Sequence, residues 1–188
     1  NTVWALGYDG SGGGANVQEF TRTIDGGTTW TAGIINVGNL NLEITNISPV
    51  NGTTAWVGAV SPTAGMGGVW KTSNGGTTWT QQNATAYTNP SSFFNVVHFF
   101  NANVGITQGD PITATDFEVY RTTDGGATWA AVPPANMPNI ISGEYGYNGG
   151  NVAAGNSFWF VTNLGKLYRT TDMGVTWTKL NTPITDFA

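Results

Sequence analysis

The octapeptide Thr122-Thr123-Asp124-Gly125-Gly126-Ala127-Thr128-Trp129 decides the fold, because three near-copies of it punctuate the rest of the chain. They are Thr23-Ile24-Asp25-Gly26-Gly27-Thr28-Thr29-Trp30, Thr72-Ser73-Asn74-Gly75-Gly76-Thr77-Thr78-Trp79 and Thr170-Thr171-Asp172-Met173-Gly174-Val175-Thr176-Trp177. From acid to acid, with Asn74 standing for Asp, the steps are 49, 50 and 48 residues (25 to 74, 74 to 124, 124 to 172). Self-similarity at a period of about 20–50 residues is the mark of a solenoid, propeller or array.

Each period divides into four short strands. In the second full repeat they are Phe93–Phe100, Val104–Gln108, Phe117–Thr122 and Thr128–Val132. The first full repeat follows with Leu42–Ile47, Ala55–Val60, Val69–Thr72 and Thr78–Gln81, and the third with Ile141–Tyr147, Phe158–Thr162, Leu167–Thr170 and Thr176–Leu180. Four strands per repeat of this length predict an all-β chain, a β-propeller of four-stranded antiparallel blades. The expected divisions are a partial blade over 1–40, blades over 41–83, 84–135 and 136–182, and a tail over 183–188. Ahead of the first turn motif there is room for only two strands, Val3–Gly7 and Val17–Thr23, so that blade lacks its innermost strand. The tail Pro183–Ala188 either completes the first blade and closes a four-bladed ring, or opens a further inner strand of a larger propeller; its shortness favours the larger propeller.

Composition agrees with this and narrows the function. Charged residues are 9% of the chain and aromatics 12%, and β-branched and aromatic runs alternate with Gly and Asn clusters, which favours strands and tight turns. No run approaches the roughly 18 apolar residues of a membrane span, so no membrane insertion is expected. The net charge of −5 and the six Lys and Arg residues give no clustered basic face for nucleic acid. Arg22, Lys71, Arg121 and Arg169 share one repeat position just before each turn motif, which reads as a solvated strand edge. There is no Cys and only one His, so thiolate and multi-His metal sites are excluded and no cofactor is expected. The chain starts at Asn1 rather than Met, as a mature or cropped product would.

The turn motif asks for its residues on local grounds. The Asp carboxylate can accept hydrogen bonds from backbone N–H groups of its own turn. Gly27, Gly76, Gly126 and Gly174 recur at one site, as a positive φ requires. The glycine before it becomes Met173 in the last copy, so that site is not expected to need glycine. Trp30, Trp79, Trp129 and Trp177 are expected to pack between adjacent blades. Asn74 keeps an acceptor oxygen but cannot serve as a general base. A position that tolerates this exchange needs an acceptor rather than a charge, so Asp25, Asn74, Asp124 and Asp172 read as structural.

The phrase Thr-x-Asp-x-Gly-x-Thr-Trp resembles the Asp-box, the bacterial neuraminidase repeat, over essentially the whole chain. Asp-boxes are found in sialidases, xyloglucanase-type glycosidases, sortilin-like receptors, photosystem II assembly factors and many proteins exported by Bacteroidetes-type bacteria. The resemblance implies that the box lies on the turn between a blade's third and fourth strands, at the rim and away from any active site. Fold transfers by such a resemblance, and function does not.

A sialidase-like reading needs three arginines around a carboxylate, but Arg22, Arg121 and Arg169 all precede a box. A two-carboxylate glycosidase needs an acid and a base facing each other. Outside the boxes the acids are Asp9, Glu19, Glu43, Asp110, Asp116, Glu118, Glu144 and Asp186, of which Asp110 and Glu144 form the best pair. His98 reads as a residue of a partly buried strand. Trp4, Trp56, Trp70, Trp159, Tyr145 and Tyr147 read as packing residues more readily than as a sugar-stacking platform. The expected function is a non-catalytic scaffold, secreted or at the bacterial cell surface, with a protein or glycan partner at a propeller face or in the secretion and surface machinery. Its style resembles substrates of type IX secretion. The rival is a fragment of a glycoside hydrolase whose catalytic residues lie partly elsewhere.

Overall fold

A computed structural model describes residues 1–183 apart from 12, 14–15, 62–66 and 83–85. Asp186, the tail 184–188 and the first residues expected of the 84–135 blade therefore lie outside the described residues. The described residues form four antiparallel sheets. The first is three-stranded, with β1 (Val3–Leu6), β2 (Glu19–Thr23) and β3 (Thr31–Ile34) in that order. The second holds β4 (Glu43–Pro49), β5 (Ala55–Val60), β6 (Gly67–Thr72) and β7 (Thr80–Gln82). The third holds β8 (Phe94–Phe99), β9 (Gly105–Gly109), β10 (Glu118–Thr122) and β11 (Ala130–Ala131), and the fourth β12 (Gly146–Ala154), β13 (Ser157–Thr162), β14 (Lys166–Thr170) and β15 (Thr178–Asn181). Every strand pairs with its sequence neighbour, as in a meander whose units are propeller blades.

The core lies between the sheets. One cluster, including Trp4, Phe20, Val57, Trp70 and Trp79, joins the first blade to the second. A second, with Trp56, Val69, Phe94, Val97 and Trp129, joins the second to the third. A third, with Ile106, Val119, Phe158, Phe160 and Trp177, joins the third to the fourth. Strands β4 and β5 pack on β8, and β8 packs on β12. Side chains of β4 also stitch the inner strands. Asn46 donates to the Val97 carbonyl (2.7 Å) and accepts from the Val97 N–H (3.1 Å), and Ser48 accepts from the Phe99 N–H (2.8 Å).

Burial follows from a blade's place in the row. Every residue of β5 and of β9 is buried, because both faces of those sheets are covered. In β13 burial alternates with period two, Phe158, Phe160 and Thr162 facing the third blade. The expected strand limits hold to within a few residues except at the fourth strands and in the last blade. Thr78, Thr128 and Thr176 do not begin fourth strands, because their N–H groups are held inside the preceding turns. The inner strand expected over Ile141–Tyr147 runs instead over Gly146–Ala154, with a register shift between Gly146 and Asn151. Ile141 is turned back by the Glu144 carboxylate, which accepts its N–H at 2.8 Å. A short 3-10 turn runs over Pro134–Asn136.

His98 lies on β8, as expected, half-buried against Phe100 and Phe158 with ring centroids 4.7 and 5.4 Å away. Desolvation lowers its pKa from 6.5 to about 4. The unfolded chain therefore binds a proton that the folded chain rejects, so this residue's contribution is complete above about pH 6.5 and is lost as the pH falls toward 4. His98→Gln should flatten that part of the stability profile, which thermal melts of both proteins across this window will measure.

Candidate functional site

In each Asp-box the hydroxyl of the first Thr is the hub. Thr122 Oγ1 accepts the Gly126 N–H (3.0 Å) and donates to Asp124 Oδ1 (2.8 Å). Asp124 in turn accepts the Thr128 N–H (2.9 Å) and hydroxyl (2.6 Å). The same pattern recurs around Thr23 and Asp25 and around Thr170 and Asp172. In the second box Asn74 Oδ1 accepts from Thr72 (3.0 Å) and the Thr78 N–H (3.0 Å), while its amide donates to Thr78 Oγ1 (2.9 Å). Thr78 has simply reversed its hydroxyl, which is why Asn serves where Asp does. Hydrogen bonds from Thr128 hold Asp124 at a pKa of about 2, and those from Thr29 hold Asp25 lower still. Asp172 is also lowered; its burial acts in the opposite sense and is outweighed by the hydrogen bonds of Thr176 and Thr170.

Each box is clipped to its own blade from below. The N–H groups of Gly75, Gly125 and Met173 donate to Thr53, Asn103 and Asn156 in the turn between the first two strands. This site takes positive φ in every copy: 77° at Gly26, 74° at Gly75, 73° at Gly125 and 56° at Met173. The site thus takes positive φ in every copy without requiring glycine, since Met173 occupies it in the last. Met adopts the left-handed conformation there, because the clip demands it. The following glycine is constrained twice, by φ of 90° at Gly76 and by Phe20, whose ring fills the space a Cβ would need.

The basic residues before the boxes are not a solvated edge. Each sits across the ladder from a residue of its blade's second strand, in the pairs Trp4–Arg22, Trp56–Lys71, Ile106–Arg121 and Trp159–Arg169. From the second blade, Trp56 Nε1 and Lys71 Nζ both donate to the Gly125 carbonyl in the third blade's box (3.2 and 3.1 Å). From the third blade, Arg121 Nε donates to the equivalent carbonyl of Met173 (2.8 Å). From the first, Trp4 Nε1 donates to the Asn51 carbonyl (3.0 Å), and Arg22 Nη1 donates to Gly52. Arg22 lies over the Trp4 ring at 5.1 Å and Lys71 over Trp56 at 4.8 Å, as cation–π pairs. Sequence spacing revealed the shared position of these cations, but nothing in it showed that they cross to the next blade.

Three of the box tryptophans pack between blades, as expected. Trp79 meets Trp4 and Phe20, Trp129 meets Phe99, and Trp177 meets Phe158 and Phe160 in the cluster shared with the third blade. Trp30 does not. It is 49% exposed and donates to its own Gly27 carbonyl.

Asp110 and Glu144 lie at the opposite end of the blades from the boxes, among the loops joining second to third strands and successive blades. They are not two open carboxylates. Glu144 is 3% exposed; Oε1 accepts from Thr162 (2.8 Å), and Oε2 from the Ile141 N–H (2.8 Å) and Tyr168 hydroxyl (3.1 Å). Asp110 Oδ1 accepts from Asn95 (2.8 Å) and the Gly146 N–H (3.0 Å), and burial raises its pKa against those bonds. Glu118 is buried too, with its pKa raised by desolvation and Oε1 accepting from Tyr120. Trp4, Trp56 and Trp70 are core residues, Trp159 is half-buried, and Tyr145 packs edge-on to Tyr147. On the same loop end, Tyr8, Ile34 and Leu40 line an open groove of about 670 Å³ with Asp9 and Glu19. The sequence reading singled out none of those three apolar side chains.

Rows of antiparallel blades joined through Asp-box turns define the class, an Asp-box β-propeller. The chain belongs to the family described as photosynthesis system II assembly factor YCF48, which matches residues 65–184. A GH74 xyloglucanase from Xanthomonas campestris is similar in fold, with a TM-score of 0.56 and 14% identity over 92% of this chain and 29% of that enzyme. This chain thus spans under a third of the enzyme's length. A structure of YCF48 bound to D1 peptide (TM-score 0.46, 16% identity, 94% of this chain and 77% of that one) and one of YCF48 from Cyanidioschyzon merolae (0.46, 16%, 99% and 82%) also match. No curated protein matches.

Asp124→Asn should leave the melting temperature within about 2 °C, since Thr128 can reverse its hydroxyl as Thr78 does. It should also remove the acid sensitivity that Asp124 contributes between pH 3.8 and about 2, where its native carboxylate is lost. Thr122→Val, by contrast, strands the buried Gly126 N–H and should cost roughly 1–3 kcal/mol in denaturant unfolding. Met173→Gly relieves the left-handed strain and should gain up to about 1 kcal/mol in the same assay.

Proposed function

We propose that the chain is a non-catalytic propeller whose loop end binds a protein or glycan partner. The observation that carries this reading is where large apolar side chains remain in solvent. Tyr8 is 91% exposed and Leu40 80%, and both line the groove at the loop end, beside Ile34. Exposed aromatic and aliphatic groups on loops held by a rigid sheet suit recognition. The carboxylates near that end suit chemistry poorly, since Glu144 is enclosed by three donors and Asp110 is tied to Asn95 and Gly146.

Membership of a family named for assembly factors fits a binding role. Low charge and the richness in Thr, Asn and Gly support placement at the cell surface or outside the cell, with type IX secretion as the route and the secretion or surface machinery as further partners. The likeness to a xyloglucanase is one of fold and assigns no activity to this chain.

Binding to glycan arrays and to surface-protein extracts, with turnover measured in parallel on β-glucans and sialosides, tests the proposal. Tyr8→Ala with Leu40→Ser should weaken binding at least about tenfold, a loss of about 1.4 kcal/mol, at an unchanged melting temperature. Turnover that disappears in Asp110→Asn would instead establish the hydrolase reading.

A further inference from the structure

The junctions between successive blades follow one plan but are filled to different degrees. In each, a cation on the third strand lies between a residue of the second strand and one of the fourth. Arg22 stands between Trp4 and Thr31, Lys71 between Trp56 and Thr80, and Arg121 between Ile106 and Ala130. Two residues beyond Thr80, Gln82 brings its Oε1 beside Gly126 of the next box. Counted from the box tryptophan, the residue at that place in the third blade is Val132.

Where the third blade meets the fourth, Ala130 and Val132 thus replace Thr80 and Gln82, and a hollow of about 350 Å³ lies there. Ala130, Val132, Pro133 and Val175 give it apolar walls, and Arg121 lines it between them. Val175 belongs to the fourth blade's box and the other three to the outer edge of the third blade, so the hollow spans the junction.

The guanidinium in this hollow is only partly used. Its Nε donates to the Met173 carbonyl at 2.8 Å, while among the described residues Nη1 and Nη2 bond to nothing and Arg121 forms no ion pair. Neither Nη is buried without a partner, so both stay open to solvent. Arg22 and Lys71 lie over the rings of Trp4 and Trp56, but Arg121 has Ile106 in that place, and Ile106 packs on Gly174. The carboxylate of its own box does not neutralise it, because Asp124 is engaged by Thr122 and Thr128. Thr123 adds to the lining a hydroxyl that no described residue bonds.

We propose that this hollow binds a small monocarboxylate with an apolar body, of the class of short branched-chain or arylacetic acids. The two Nη groups form a planar fork that matches the two oxygens of a carboxylate. The hydrocarbon body lies against Val132, Pro133 and Val175, and the volume falls in the range of small-ligand sites. No second cation lines the hollow, so one negative charge is matched. A phosphate dianion would carry excess charge against apolar walls and is disfavoured. The hollow shares no lining residue with the groove of Tyr8 and Leu40, so it stands or falls apart from the binding proposed there.

Titration of phenylacetate into the 188-residue chain, followed by amide NMR shifts, tests this, with phenylacetamide and inorganic phosphate as controls. Phenylacetate should bind with a Kd below about 1 mM and shift the amides of Val132, Gly174 and Val175. The amide and phosphate should each bind at least about tenfold more weakly, since one lacks the charge and the other the apolar body. Arg121→Lys can keep the bond to Met173, as Lys71 keeps its bond to Gly125, so its melting temperature should move by no more than about 2 °C. Without the fork it should bind phenylacetate at least about fivefold more weakly. Ala130→Trp, at an exposed position, sets an indole in the hollow and should abolish binding at an unchanged melting temperature. Absence of shifts up to about 10 mM phenylacetate overturns the proposal. So do shifts confined to other parts of the chain, a control that binds as tightly as the acid, or a folded variant that keeps full affinity.

Discussion

A four-stranded sheet has two apolar faces, and its own strand ladders cover neither. In this chain each face that meets another blade is closed by that blade's sheet, and the most specific part of that closure is a cation and an indole reaching one backbone carbonyl. The carbonyl of Gly125 receives both Lys71 and Trp56, and that of Met173 receives Arg121. A carbonyl can be aimed this way only if its turn is rigid, and the Asp-box supplies the rigidity. Thr122 and Asp124 hold the turn from within, while the Gly125 N–H is clipped to Asn103. The positive φ at that position follows, even where the residue is Met173.

Burial, exposure and the unusual ionisation of the molecule are consequences of this arrangement. Strand β5, between two blades, is buried at every residue, while β13 alternates because only one of its faces meets a neighbour. His98 is desolvated because it lies where the third blade meets Phe158 of the fourth. Glu144 is enclosed because it turns the chain from the third blade into the fourth and must be satisfied there by Thr162, Tyr168 and Ile141. Such a site stabilises a loop and keeps the carboxylate out of solvent. The box end of the molecule spends its polar groups on its own turns and on the next blade, and the opposite, loop-bearing end leaves Tyr8 and Leu40 in solvent.

Much of this was legible in the residues. Four copies of Thr-x-Asp/Asn-x-Gly-x-Thr-Trp at even spacing announced repeated blades, and β-branched and aromatic runs between Gly and Asn clusters placed most strands. The exchange of Asp for Asn74 announced that the box needs an acceptor. These signals are local: a hydroxyl, a carboxylate and the N–H groups they bind lie within five residues of one another. The inner strand of the last blade was misplaced because Ile141 and Tyr145 look like strand residues, while the turn between them depends on Thr162 and Tyr168, some twenty residues away.

The sequence by itself determined the repeat, the fold class and the chemistry of each turn, since all three depend on contacts within one repeat. Only the tertiary structure decided the roles of Arg22, Lys71 and Arg121, whose acceptors lie about 30 to 54 residues away in another blade. It alone separated Trp30, left in solvent, from Trp79, Trp129 and Trp177, which share its motif but have a blade in front of them. A motif specifies what a residue is able to bind; the position of its blade in the row specifies whether anything is there.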